Sequence, residues 1–147
     1  METTATKRAL IDEKFPHYDE GGKALVLKAC EIATEALKDD FRDNGHPFVE
    51  HPMNVALIVS DEIGLPAECA AAVFLHEAQR KHPDYDIKSA GFPAEVYKMV
   101  DGLDKIATIK PKDTRLEAEN YKKLIVQYST DPRVTVLKIA DRLEVMR

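Results

Sequence analysis

Long apolar runs are missing from this 147-residue chain. No stretch approaches the roughly 20 consecutive residues that would span a bilayer. The N-terminal METTATKRALIDEKF lacks the apolar centre of a signal peptide. With no span and no signal peptide in view, no membrane partner is expected, and the cytoplasm is the expected compartment. Cysteine is scarce: only Cys30 and Cys69 occur, in apolar helix-like runs and without metal or redox spacing, so both are expected to be reduced core residues. A basic surplus is also missing. Lys and Arg number 21 against 26 Asp and Glu, a net charge of −5. A chain without a domain-wide positive field is a poor binder of duplex nucleic acid, although a basic cleft inside an acidic protein stays compatible with that balance. Strand-like alternation and internal repeats are absent too. What remains is helical periodicity in a chain that is 44% apolar and 32% charged, the composition of one soluble domain long enough to bury a core.

The expected architecture is an all-α bundle of six to seven helices. Residues 1–20 form a polar N-terminal segment with a few apolar anchors, and residues 21–147 form the domain. GGKALVLKACEIATEALK sets Leu25, Ala29, Ile32 and Ala36 on one stripe of an amphipathic helix. DDFRDNGHPF is loop chemistry, with Asn44-Gly45 as its turn signal. EHPMNVALIVSDEI resumes a helix, tolerating Pro52 in its first turn, and Gly64 stops it. Pro66 opens the next helix, which is almost free of polar residues from Cys69 to Leu75 and is therefore expected at the centre of the bundle. After the KHPDYD loop, a short helix, a break at Gly91 and another helix follow. Thr114 and Glu117 have capping-box spacing, predicting a helix to about Tyr128. Asp131-Pro132 starts a last helix, which runs to Arg147 without a stop signal, as in a domain truncated at its C-terminal end.

Ionisable residues interrupt the apolar pattern at three places: His51, the adjacent pair His76-Glu77, and Asp141 in VLKIADRL. Buried unpaired, such groups cost several kcal/mol or change protonation. A shared divalent cation would satisfy all four, since imidazole and carboxylate are suitable ligands for manganese, iron or zinc. Plainer roles exist for each. His51 can serve as a helix-terminal residue, Glu77 can face solvent at a helix end, and Asp141 can pair with Arg142 or Lys138. The sequence HEAQR begins like the zinc-protease motif H-E-x-x-H, but Arg80 stands at the fifth position and His82 falls on another face, so that chemistry is rejected.

NGHPFVEHPMNVALIV, AAVFLHEAQR, MVDGLDKI, RLEAENYKKLIV and DPRVTVLKIADRLEVMR, in this order, resemble the HD-type hydrolase domain of the RelA/SpoT family over roughly residues 20–147. The resemblance implies an HD-domain helical bundle and one divalent ion, manganese in most members. It places the ligands at His51, His76, Glu77 and Asp141. It also implies removal of the 3′-pyrophosphate from (p)ppGpp, with Arg42 and Asn44 in a loop that helps hold the nucleotide, and a synthetase domain as a neighbour absent from this chain.

The departures from the family pattern are chemical. Active members carry H-D-x-x-E-D; here the His-Asp pair is His76-Glu77, and the two following acids are Gln79 and Arg80. A glutamine is no general base near neutral pH, and arginine brings a positive charge to a position that held a negative one. Val145 replaces a common asparagine, and Asp43 a basic loop residue. The expected function is a metal-binding HD domain with weakened or lost hydrolysis and a regulatory role in (p)ppGpp metabolism. Three alternatives are an active manganese-dependent (p)ppGpp hydrolase, an HD phosphohydrolase for another nucleotide, and a helical module without stoichiometric metal.

Overall fold

The computed structural model describes residues 4–107 and 132–146. Six α-helices make up the fold among them: α1 (Thr4–Lys14), α2 (Glu20–Ala36), α3 (Glu50–Leu57), α4 (Ala67–Lys81), α5 (Ala94–Ala107) and α6 (Pro132–Met146). The helix expected from Thr114 to about Tyr128 lies outside the described residues.

α4 is the axis of the bundle, and α2, α3, α5 and α6 all pack against it. From Cys69 to Ala78 every residue is buried, as a helix apolar all round requires. Its alanines let α2 approach closely: a Cβ added at Gly22 would sit 3.1 Å from Ala67 Cβ. That approach also rotates α2 from the expected stripe. The buried face is Val26, Ala29, Cys30, Ala33 and Leu37, while Leu25 and Ile32 pack at its margin. Small residues face the small residues of α4, and the bulkier ones fill the edges, where there is room. Asp19 caps α2 by accepting a 2.7 Å hydrogen bond from the Gly22 N–H. The polar N-terminal segment supplies two core residues, Ile11 and Phe15, both fully buried, with Phe15 stacked on Tyr18. Cys30 and Cys69 are buried and form no disulfide with each other.

α3 is shorter than its sequence suggests because it widens into a π-helical turn over Ile58–Ile63. Gly64 ends this turn with a φ of +80°, a conformation that disfavours any side chain, and its N–H returns to Val59 O. Pro66 is extended and α4 starts immediately after it. A 3₁₀ turn over Lys88–Ala90 separates α4 from α5. α6 lies against α5 at Gly102, where an added Cβ would meet Val134 Cγ2 at 2.8 Å. This contact sets the depth at which α6 enters the bundle, and so the position of Asp141 and Glu144 on it.

No described helix is long and apolar enough to cross a membrane.

Candidate metal centre

Three helices remote in sequence converge on a cleft of about 320 Å³. α3 brings His51 in its first turn, α4 brings His76 and Glu77 near its C-terminal end, and α6 brings Asp141; all four line the cleft. His51 is 5% exposed and Glu77 4%. Asp141 Oδ1 lies 2.6 Å from His51 Nε2, and Glu77 Oε1 lies 3.9 Å from the same nitrogen. One donor atom each from His51, Glu77 and Asp141 fits within 4.8 Å of the other two.

His76 is placed differently. It lines the cleft, but its buried Nδ1 makes no hydrogen bond among the described residues and lies 3.5 Å from Asp104 Oδ1 on α5, an ion-pair distance. Its donor atoms stand outside the close group of three.

Glu144, one turn after Asp141 on α6, is the residue that the sequence left unremarked. Its Oε1 lies 2.5 Å from His51 Nδ1, so two carboxylates hold the imidazole by both nitrogens. Arg42 donates to both Glu144 oxygens, Nη1 at 3.1 Å and Nη2 at 2.8 Å, and Asn54 donates to Oε2 at 3.3 Å. An acid at i+3 from a suspected ligand shares its helix face, and that spacing was the available signal. Asp104 gave none: it is an ordinary half-exposed acid in a helix, notable only because α5 carries it to His76.

The charges shift one another. Burial pulls the His51 pKa down, but hydrogen bonds to Asp141 and Glu144 and the nearby Glu77 charge outweigh it, so the value is raised above 6.5 and His51 holds its proton more tightly. Burial alone would raise Asp141 and Glu144. Bonds from His51 and the charge of Lys138 lower Asp141 instead, and bonds from Arg42, His51 and Asn54 lower Glu144. Arg42 is raised, chiefly by its bond to Glu144.

The remaining sequence candidates fall as follows. Arg80 lines the cleft and pairs with Glu77, Nη2 and Nε reaching Oε2 at 2.8 and 3.1 Å, with its side chain 41% exposed. Gln79 is not among the lining residues; its Oε1 is buried without a hydrogen-bond partner among the described residues. Arg42 reaches the cleft from a loop closed by its N–H to His46 O and by Phe48 N–H to Asp40 O. Asn44 is exposed at the loop tip, where its side-chain oxygen accepts the His46 N–H, and it does not line the cleft.

The donor set suits a divalent cation. Metal–ligand bonds of about 2.0–2.2 Å put donors roughly 3–4 Å apart around one ion, so the 3.9 Å pair already fits, the 2.6 Å pair needs to open by a few tenths of an ångström, and donors as far as 4.8 Å apart need to draw in by a similar amount. One imidazole with carboxylates is a donor set for manganese, iron or zinc.

An HD domain description matches residues 29–147 of this sequence. The chain belongs to the HD domain family. Its HD domain is of the RelA/SpoT type. It is 36% identical over 135 residues to a guanosine-3′,5′-bis(diphosphate) 3′-pyrophosphohydrolase of Aquifex aeolicus, a match covering 91% of this chain and 19% of that protein. The Haemophilus influenzae protein of the same name is 37% identical over 120 residues, covering 79% and 17%. The bifunctional (p)ppGpp synthase/hydrolase SpoT of Escherichia coli is 33% identical over 124 residues, covering 83% and 18%. The chain spans less than a fifth of the length of these curated relatives.

Proposed function

We propose that this HD domain binds one divalent cation, manganese by preference, and a guanosine nucleotide carrying a 3′-diphosphate, with hydrolysis weakened or lost and a regulatory role in (p)ppGpp metabolism. The ligands in this reading are His51, Glu77 and Asp141, with His76 as a fourth from the same cleft wall. A divalent cation bound there supplies a Lewis acid that polarises a phosphoryl oxygen and acidifies water.

The protein's own residues account for the rest. Three carboxylates (Glu77, Asp141, Glu144) face three side-chain cations (Arg42, Arg80, Lys138) in and around the cleft. An added divalent ion then leaves a surplus of positive charge, which complements a diphosphate. Arg42, Arg80 and Lys138 line the cleft wall and suit phosphoryl oxygens, the arginines as planar forks. Only two of five guanidinium N–H donors of Arg42 are spent on Glu144, which leaves others for a nucleotide.

The observation that carries the loss of turnover is the state of the cleft's acids. Glu77 is held by Arg80, and Asp141 by His51 and Lys138. Gln79 has no basic oxygen to offer. A positioned base is worth about 10²–10⁴-fold in rate, so the domain should bind (p)ppGpp and turn it over slowly or not at all. The test measures ppGpp binding and pyrophosphate release with Mn²⁺, for the wild type and for Gln79→Glu/Arg80→Asp. The reading expects metal-dependent ppGpp binding by both, and release at least about 10²-fold faster in the double variant. Fast wild-type release that His76→Ala abolishes would establish an active hydrolase instead. Absence of ppGpp binding in the presence of Mn²⁺ would overturn the nucleotide assignment.

A further inference from the structure

We propose that Glu144 is a positioning residue: it fixes the tautomer and plane of His51 so that Nε2 is the nitrogen presented to the cation. The inference rests on the metal-binding reading above. An imidazole ligates through a nitrogen lone pair, and which of its two nitrogens is free is decided by the partner of the other. Here Nδ1 lies 2.5 Å from Glu144 Oε1, with His51 5% and Glu144 8% exposed. Both ring nitrogens meet a carboxylate oxygen, but Nε2 is the one beside the two ligand carboxylates, Asp141 Oδ1 at 2.6 Å and Glu77 Oε1 at 3.9 Å, so a cation there takes the Nε2 lone pair while Nδ1 keeps its proton against Glu144 Oε1.

Glu144 is itself held in place. Arg42 straddles both of its oxygens and Asn54 donates to one. A carboxylate with this many donors cannot swing away, so the imidazole it holds cannot rotate. One turn of α6 therefore supplies both a ligand, Asp141, and the group that aims another ligand, Glu144. A carboxylate on Nδ1 also increases the basicity of Nε2, strengthening its bond to a cation.

The test titrates Mn²⁺ into metal-free wild type, Glu144→Ala and Glu144→Gln by calorimetry, with circular dichroism to verify folding. Nitrogen-15 NMR of the Zn²⁺-loaded, diamagnetic forms reads the His51 tautomer. Removing such a partner typically costs 10–100-fold in metal affinity. The alanine variant should therefore bind Mn²⁺ about 10–100-fold more weakly, while the glutamine variant, whose amide oxygen still accepts the Nδ1 proton, stays much closer to wild type. Wild-type spectra should show a protonated Nδ1 and a metal-bound Nε2. If the alanine variant does not fold, Glu144→Asp carries the test. It keeps the charge but retracts it by one methylene, and should bind more weakly than the glutamine variant. Unchanged Mn²⁺ affinity in a folded alanine or aspartate variant, or Zn²⁺ on Nδ1, would overturn the role of Glu144 and leave the metal site standing. Absence of Mn²⁺ binding in the wild type would overturn the site and this role together.

Discussion

Arg80 should oppose metal binding, and Arg80→Gln should strengthen it. Its guanidinium reaches Glu77 Oε2 at 2.8 and 3.1 Å. With charge centres about 4 Å apart, an effective dielectric constant near 20 gives an attraction of roughly 4 kcal/mol. The Arg80 side chain is 41% exposed, so solvent screening reduces this to on the order of 1–2 kcal/mol. A cation that ligates Glu77 must share the carboxylate with Arg80 and bear its like charge. Removing that competition should tighten Mn²⁺ binding by about tenfold, since 1.4 kcal/mol is one decade. Glutamine keeps a polar side chain of moderate length without charge, so the cleft wall is preserved. The cost falls on the metal-free state, in which a 4%-exposed Glu77 loses its cation. The metal-free variant should melt at a lower temperature than wild type, and Mn²⁺ should raise its Tm by more. The assay is calorimetric Mn²⁺ titration of chelator-stripped proteins, with melting curves with and without the ion. Equal or weaker Mn²⁺ binding by Arg80→Gln would refute the reasoning and give Arg80 a supporting part in the site.

Three more outcomes follow from the geometry. The Gly102 Cβ position lies 2.8 and 3.3 Å from the two Val134 methyls and 3.6 Å from Val134 Cβ, so the buried valine must shift to admit a side chain; Gly102→Ala should destabilise by about 1–3 kcal/mol in denaturant melts despite better helix propensity, and Val134→Ala in the same chain should restore most of it. In the metal-free protein, His51 titrates above its ordinary 6.5, so its stabilising contribution is complete below 6.5 and vanishes as pH rises through the folded value. Asp141 and Glu144 are shifted below 3.8 and 4.5, so theirs is complete above those values and vanishes as pH falls through the folded ones. Metal-free stability should accordingly peak between about 4.5 and 6.5, and His51→Gln should remove the alkaline fall; a wild-type Tm that climbs from pH 6 to 8 would contradict this. Asp104→Asn removes the charge 3.5 Å from His76 Nδ1 and should weaken Mn²⁺ binding by less than Glu144→Ala does, because its pairing is longer and half exposed; an equal loss would make Asp104 as firm an anchor for His76 as Glu144 is for His51.

The helices were legible because their punctuation is local. Pro66, Gly64 and Gly91 all mark element ends in the structure. The burial of α4 followed from its unbroken apolar run. The facing of α2 was not legible, because its apolar arc is wide and the choice between Leu25 and Val26 depends on how closely α4 approaches. The convergence of His51, Glu77 and Asp141 could be suspected from ionisable residues in apolar helices, but distances between helices have no sequence signal. A glutamate near a helix end usually faces solvent, and it is the arrival of His51, Arg42 and Asn54 that gives Glu144 its partners. Arg80 reads in the sequence as a charge reversal at an acid position; that it binds Glu77, its neighbour at i−3, depends on rotamers that the cleft wall selects.

The central claim is that the cleft takes a single divalent cation on His51, Glu77 and Asp141. Crystals grown with Mn²⁺ and measured near the manganese edge test it most directly. The account predicts one anomalous peak at roughly 2.0–2.3 Å from His51 Nε2 and from a carboxylate oxygen of Glu77 and of Asp141, with Glu144 still on His51 Nδ1. A cleft without a peak at saturating Mn²⁺, with His51 still bridging Asp141 and Glu144, would contradict it.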